Sequence, residues 1–255
     1  MDKLLNKTPP DEYPVTLYVN GYELATYQLT KQDLQDWVIG QLFNEKLIQS
    51  PGDIHKLRIE EGRGKIWADL HPQANLPPGW QQQKKHYTAG CGKGATFLSI
   101  SDIRSFKKVR SRRSVTCSYL TDRMQAFTRN SPLYLRTGGM HGACLVDMEG
   151  KIHVREDIGR HNAVDKVIGY ALQKELHPET LILLTTGRIS YEMLAKAARF
   201  GIGIVGSRTA ATRQALQLAN YLQIDVAGYI RGKMVQIYTS HGRIINDHTQ
   251  KVAAE

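Results

Sequence analysis

Between residues 14 and 28 apolar and polar side chains alternate through "PVTLYVNGYELATYQ", interrupted at Asn20-Gly21. A two-residue period broken by Asn-Gly predicts a β-hairpin. From about Lys31 to Lys46 the period lengthens. Leu34, Trp37, Val38, Leu42 and Phe43 recur at helical spacing, so an amphipathic helix is expected there. "IHKLRIEEGRGKIWADL" returns to strand patterning and turns at Glu61–Gly64. Residues 71–96 are rich in Pro, Gln and Gly and predict loop, and Ser118 to Arg129 predicts a helix.

From Tyr134 the texture changes. "ACLVDMEGKIHVRE" predicts a hairpin, and "HNAVDKVIGYALQKE" an amphipathic helix whose first turn lies near Arg160. "LILLTT", "ISYEMLAKAARF", "GIGIVG", "TAATRQALQLANYL", "IDVAGYI" and "MVQIYT" then read as strand, helix, strand, helix, strand, strand. Such alternation predicts an α/β domain with a largely parallel sheet, covering helices and right-handed crossovers. The boundary is expected near 110–116, giving an α+β region at 1–112 and an α/β domain at 113–255.

Composition changes this picture mainly through charge. At 255 residues, with 41% hydrophobic and 23% charged positions, the chain is an ordinary globular protein with room for a core. The longest apolar runs, such as "LILL" at 181–184, fall far short of the ~20 residues a bilayer crossing needs. The N-terminal "MDKLLNKTPPDEYP" carries no apolar signal core, so a cytoplasmic protein without a membrane partner is expected. The net charge of +10 and pI near 9.5 favour polyanionic partners. Much of the excess is local. "RSFKKVRSRR", 104–113, holds six basic residues and no acid, and most of it reads as a solvated connector.

Candidate chemistry begins at "TAGCGKGAT", Thr88 to Thr96. A Walker loop needs Gly, four residues, then Gly-Lys-Ser/Thr; here Gly94 follows Gly92-Lys93, and Tyr87 occupies the leading position. A zinc deaminase needs a Cys-x-x-Cys pair, and Gly94 removes it. Cys91 therefore reads in one of two ways: a thiol whose anion is stabilised by backbone amides and Lys93, or a small residue in a tight turn. Cys144 lies in an apolar strand and reads as core; Cys117 sits at a helix start without basic support. With three scattered cysteines, neither a disulfide framework nor a metal site is expected.

Five further stretches carry polar chemistry. In "RTGGMHGACLV", Gly138 and Gly139 suggest close backbone approach, and His141 is an acid/base or ligand donor, or a hydrogen-bonded structural histidine. "HVREDIGRHNAVDK" packs Arg155, Glu156, Asp157, Arg160, His161, Asn162, Asp165 and Lys166 around a strand-to-helix junction. It reads as an anion site at a helix N-terminus or as an ion-pair network. "TTGRIS" and "GSRTAAT" repeat the junction with Arg188 and Ser207, and "GYIRGKM" adds Arg231 and Lys233. Several such junctions on one edge would suit a multiply phosphorylated ligand.

Taken together, these segments resemble the formate dehydrogenase accessory sulfurtransferase family, FdhD. The resemblance runs from "VNGYELATYQLT" through "TAGCGKG", "TGGMHGA", "REDIGRHNAVDKVIG", "GRISYEMLAKAA" and "GSRTAATRQALQLA" to "AGYIRG" and "YTSHGRI". It implies a cytidine-deaminase-like C-terminal domain, a mixed sheet with covering helices and no zinc, beside a smaller α+β N-terminal domain. It implies a homodimer. Sulfur would be taken as a persulfide from a cysteine desulfurase and delivered to a molybdenum (or tungsten) bis-guanine-dinucleotide cofactor, needed by the formate dehydrogenase catalytic subunit. By position Cys91 is implied to carry the sulfur. Tyr229, Ile230, Arg231, Gly232, Lys233 and Met234 are implied to bind the cofactor, with Gly138, Gly139 and His141 lining the same region and Arg188 and Ser207 from the repeated junctions. Many members have Cys-x-x-Cys in the loop; with Gly94 here, a relay between two loop thiols is not available. The alternative to a sulfurtransferase is a non-catalytic chaperone for the molybdenum cofactor. Nucleic-acid binding rests on charge alone and is not expected, because no helix-turn-helix, RNA-binding aromatic motif or zinc finger accompanies it.

Overall fold

The computed structural model describes residues 6–74, 76, 80, 106–111 and 113–247. Cys91 and the loop Thr88–Thr96 lie outside them. The N-terminal hairpin pairs β1 (Tyr13–Val19) with β2 (Tyr22–Leu29) around Asn20-Gly21. Both turn residues have positive φ, 48° and 81°, the conformation that an Asn-Gly pair supplies at low cost. β3 (Ile54–Glu60) and β4 (Lys65–Leu70) form the second hairpin. β4 pairs in parallel with β1, closing a four-stranded sheet in the order β2-β1-β4-β3. Helix α1 (Leu34–Asn44) buries Leu34, Trp37, Val38 and Leu42 against this sheet. It starts three residues later than the apolar period suggested, because Asp33 adopts a left-handed conformation at φ 56°.

The second layer follows α2 (Cys117–Arg129) and the short α3 (Pro132–Thr137). Its strands are β6 (His141–Val146), β7 (Ile152–Asp157), β8 (Ile182–Thr185), β9 (Ile204–Ser207), β10 (Asp225–Arg231) and β11 (Met234–Thr239). They are ordered β11-β10-β9-β8-β6-β7. The sheet is mixed rather than largely parallel. Only β8–β9 and β9–β10 pair in parallel; the hairpins β6–β7 and β10–β11 and the β6–β8 ladder are antiparallel. Alternating strands and helices set the parallel centre, and hairpin connections at both margins reverse the chain. Helices α4 (Arg160–Gln173), α5 (Tyr191–Phe200) and α6 (Arg213–Leu222) build one core with Leu183, Val205 and Val226. Leu120, Met124 and Phe127 of α2 pack on Cys144, Ile182 and Ile204 to form another. Cys144 is fully buried, and burial pushes its thiol up to about 12.

The two layers meet where α1 crosses α4 at "VIG" in each helix. A β-carbon on Gly40 would lie 1.9 Å from the Asp165 carbonyl oxygen, and one on Gly169 would lie 1.8 Å from that of Asp36. No side chain fits, so the backbones touch through glycine. Beside this crossing Arg155 bonds Asp36 at 2.6 Å, and Asn44 donates to Asp165 at 2.7 Å.

The basic run is docked against the body rather than solvated throughout. Val109 is buried and its amide donates to Leu222 O. Arg113 is buried and donates to the carbonyls of Val146 and Thr180. From the other side Arg243 donates to Ser111 O, Val109 O and Gln223 O and pairs with Asp225 at 3.1 Å. Next to it β12 (Ile244–Ile245) pairs with β5 (Val115–Thr116), and Asp247 accepts from Ser118. The connector is thus clasped by residues 243–247.

Replacing Gly169 with Ala should destabilise the protein by about 3 kcal/mol, since overpacked sites that cannot relax cost this much. The measurement is the midpoint of urea unfolding, and an unchanged midpoint would mean that the helices separate freely.

Candidate functional site

Three strand-to-helix junctions reach one edge of the six-stranded sheet. β7 runs into α4, β8 into α5 and β9 into α6. The registers align them: Thr185 lies opposite Ser207 and Ala143, and His141 opposite Asp157. The β10–β11 hairpin, with Arg231 opposite Met234, extends at the same edge. Ligands of open α/β sheets bind outside such carboxyl ends.

The polar motif 153–166 divides in two here. Asp157 accepts four hydrogen bonds: from Lys166 Nζ at 2.7 Å, Thr30 N at 2.9 Å, Gly159 N at 2.8 Å and Asn162 Nδ2 at 3.0 Å. Lys166 also donates to the carbonyls of Thr30 and Glu156, Asn162 to that of Gln28, and the Thr30 hydroxyl accepts from Ile158 N. Asp165 accepts from Lys196 at 2.5 and 2.6 Å. Burial pushes the Asp165 carboxyl up, and Lys196 and Asn44 oppose the shift. Glu156 accepts from Leu133 N and Tyr134 N, capping α3. The ion-pair-network alternative thus describes Asp157, Asn162, Asp165 and Lys166, which form a buried interlock, while Arg160 and His161 lie outside it on the first turn of α4.

Arg160, His161 and His141 form the floor of the edge. A β-carbon on Gly187 would meet Arg160 Cβ at 2.9 Å and His141 Nδ1 at 3.4 Å, so only glycine lets these groups close in. Burial, then the Arg160 charge, pulls the His141 imidazole below its ordinary value. Burial, followed by Lys196, Arg160 and His141, holds His161 at about 3. The His161 ring is therefore neutral at physiological pH. Its Nε2 lies 3.1 Å from Glu192 Oε2 and 3.4 Å from Ser190 Oγ. A carboxylate only accepts, so this contact favours the tautomer with hydrogen on Nε2. Serine and glutamate on the same ring nitrogen do not make a nucleophilic triad, which needs them on opposite nitrogens.

The second and third junctions are wired to each other. Ser207 Oγ is buried, donates to Gly187 O at 2.7 Å and accepts from Thr209 N at 2.9 Å. Arg208 N donates to Thr185 O, and Arg231 Nε to Arg208 O at 2.8 Å. Tyr229 N donates to Thr209 O, with Tyr229 at φ 49°. Arg188, Arg231, Lys233, Tyr229 and Met234 are exposed around this frame.

Some expected ligand residues serve other ends. Ile230 is fully buried beside Leu184 and Ala227, so its side chain is core and faces no ligand. Ser207 spends its hydroxyl on the loops. Gly138 closes α3 at φ 73°, donating to Tyr134 O, and a β-carbon on Gly139 would meet the Pro10 ring at 2.9 Å. The close approach at this glycine pair is made by the N-terminal segment. Gly232 has φ 57° and serves the hairpin turn. Sequence reasoning gave no separate role to Gly187, Ser190, Arg208 and Thr209, all within the quoted junctions, and missed Glu192, which lies just beyond one in "ISYEMLAKAARF". Only the spacing between a strand's last residue and the next helical cap pointed to them. Among the described residues, no group of three or more His, Cys, Asp or Glu could hold a metal ion. No described helix is long and apolar enough to cross a membrane.

Comparison with known proteins agrees with this layout. The model of the FdhD/NarQ family matches residues 10–245. Sulfur carrier protein FdhD of Halalkalibacterium halodurans is 40% identical over 92% of this chain and 87% of its own. Its counterpart in Bacillus pumilus is 36% identical over 92% of this chain and 89% of its own. A crystal structure of a presumptive formate dehydrogenase accessory protein from Desulfotalea psychrophila superposes with TM-score 0.75, at 23% identity, covering 94% of this chain and 91% of that one.

The low His161 value sets a pH dependence. An unfolded imidazole binds a proton below about 6.5. The folded ring resists protonation until about 3, so its share of stability is present above pH 6.5 and is lost as pH falls toward 3. By pH 5 about 2 kcal/mol of that share is lost. His161→Gln should narrow the gap between urea midpoints at pH 7 and pH 5; an unaltered gap would show that the ring is charged in the folded protein.

Proposed function

The chain belongs to the FdhD/NarQ family, and on that premise we propose that it is a cytoplasmic sulfur carrier acting for a formate dehydrogenase. Cys91 takes sulfur from a cysteine desulfurase and hands it to a molybdenum or tungsten bis-guanine-dinucleotide substrate held at the strand-end edge. The protein works as a homodimer, with a cytidine-deaminase-like layout of the larger sheet.

The observation that carries this reading is the extent of the match: relatives named sulfur carrier proteins align along nearly the whole chain. The edge supplies what the substrate's charge demands. Arg160, Arg188, Arg208, Arg231 and Lys233 all fall on the junctions and the hairpin at this edge, where Glu192 faces His161. Arginine forks suit pyrophosphate oxygens, and the φ-positive Gly232 lets the exposed hairpin tip turn tightly beside Arg231 and Lys233. Neutral His141 and His161 can exchange hydrogen bonds with a polar ligand without adding charge.

In the loading step the Cys91 thiolate attacks the outer sulfur of the desulfurase persulfide. The donor's S–S bond breaks, its cysteine leaves as thiolate, and Cys91 acquires an S–S bond of its own. Lys93 and the glycine amides around Cys91 favour the anion at both stages. Gly94 leaves Cys91 without a second thiol in its loop, so the bound sulfur cannot be expelled locally as a disulfide.

Incubation with a cysteine desulfurase and cysteine should add ~32 Da to Cys91 by mass spectrometry, with no adduct in Cys91→Ala. Cys91→Ser should also fail to restore formate dehydrogenase activity in a cell lacking the protein. Full activity of Cys91→Ser would instead identify a chaperone without sulfur chemistry.

A further inference from the structure

At the opposite ends of the strands lies a second cavity, of about 870 Å³. Residues preceding β8 and β9, Glu179 and Gly201, line it, so the depth of the sheet separates it from the edge described above. Its size matches pockets that seat a ligand or an inserted side-chain cluster.

Its charge is one-sided. Lys46, Lys107, Lys108, Arg110 and Arg199 border the cavity, against two carboxylates. Asp53 accepts from the amides of Gln49 and Ser50 at 2.6 and 3.0 Å, and Glu179 is exposed, 3.9 Å from the exposed His177, so five cationic side chains face two carboxylates. Below the charges lie Phe43 and Phe106, with Arg199 stacked on the Phe106 ring at 5.6 Å.

The basic rim is held in place. Val109 is buried and tied to Leu222 O and Arg243, which leaves Lys107, Lys108 and Arg110 exposed on a fixed backbone. The part of the basic run that the strand-end site does not use is therefore displayed here. Gln73 and Ala74 line the cavity on one side and Phe106 on the other. The sequence between them contains Cys91.

From the charge imbalance and the aromatic lining we propose that the cavity is the docking cradle for the sulfur-donating protein, which presents an acidic segment with an apolar residue for Phe43 and Phe106. The inference rests on the sulfur-carrier reading. Donor and acceptor then engage opposite ends of the sheet and do not compete for one surface.

The test compares two sulfur sources for the full chain, a cysteine desulfurase with cysteine and the small donor glutathione persulfide, with Cys91 loading followed by mass. The Lys107→Glu/Lys108→Glu/Arg110→Glu variant changes only exposed side chains. It should need about tenfold more desulfurase for half-maximal loading, with the wild-type advantage shrinking at high salt, while loading from the small donor stays unchanged. Equal desulfurase dependence in variant and wild type would overturn the cradle. So would a variant that loads normally but loses binding of GDP, which would make the cavity a nucleotide site. Failure of the wild type to load from either source would instead sink the sulfur-carrier reading, and the cradle with it.

Discussion

The first junction of the strand-end edge, with Arg160 and His161, is set by the carboxylate of Asp157. It is fully buried and receives four donors, two from its own turn and helix, one from Lys166 and one from the backbone of Thr30. Removing two opposite charges from water is costly, and a buried pair adds little net stability over a well-packed apolar one. What the arrangement provides is definition. The same carboxylate that starts α4 also holds the end of the N-terminal hairpin, so Arg160 and His161 sit where residues 28–30 permit. The hairpin, distant in sequence, is part of the site's foundation.

The glycine crossing of α1 and α4 acts in the same direction. Contact between two backbones tolerates neither sliding nor rotation by an appreciable fraction of an ångström, because dense interiors have no slack to absorb it. The Asp165 carbonyl is pressed against Gly40 while its carboxylate binds Lys196 on α5. Packing of the small sheet is thereby relayed, through one residue, to the helix that carries Glu192. Lys196 in turn contributes to keeping His161 neutral.

Much of this was legible in the chain. Asn20-Gly21 announced its hairpin, the alternation after residue 181 announced parallel strands, and Gly, Ser/Thr and Arg at three junctions announced an edge. Local chemistry sufficed for these, because turns and periods are short-range properties. The division of "EDIGRHNAVDK" was less accessible. Asn162, Asp165 and Lys166 fall at i, i+3 and i+4, one inward face of a helix, while Arg160 and His161 precede it on the open turn. Helical period alone separates these groups, but it does not reveal that Thr30 supplies the partner. Nor did any pattern forecast that Ile230 would point into the core, since a twisted hairpin with an irregular register decides that. Nothing in the local sequence marks Gly40 and Gly169 for close packing; their reason is a contact between positions 129 residues apart in the chain.

The clasp at residues 243–247 has a consequence for how the molecule comes into being. Synthesis proceeds from the N-terminus, and segments can fold as they emerge. The first sheet is available early, and so are the connector and the first helices of the second layer. Yet Val109, Ser111, Val115 and Ser118 are secured by Arg243, Ile244 and Asp247, which emerge last among the described residues. Until those three residues emerge, the connector has only its ties to earlier segments, Val109 to Leu222 and Arg113 to Val146 and Thr180 among them. The order of synthesis thus leaves the seating of the connector to Arg243, Ile244 and Asp247, after the strands it rests on have been made.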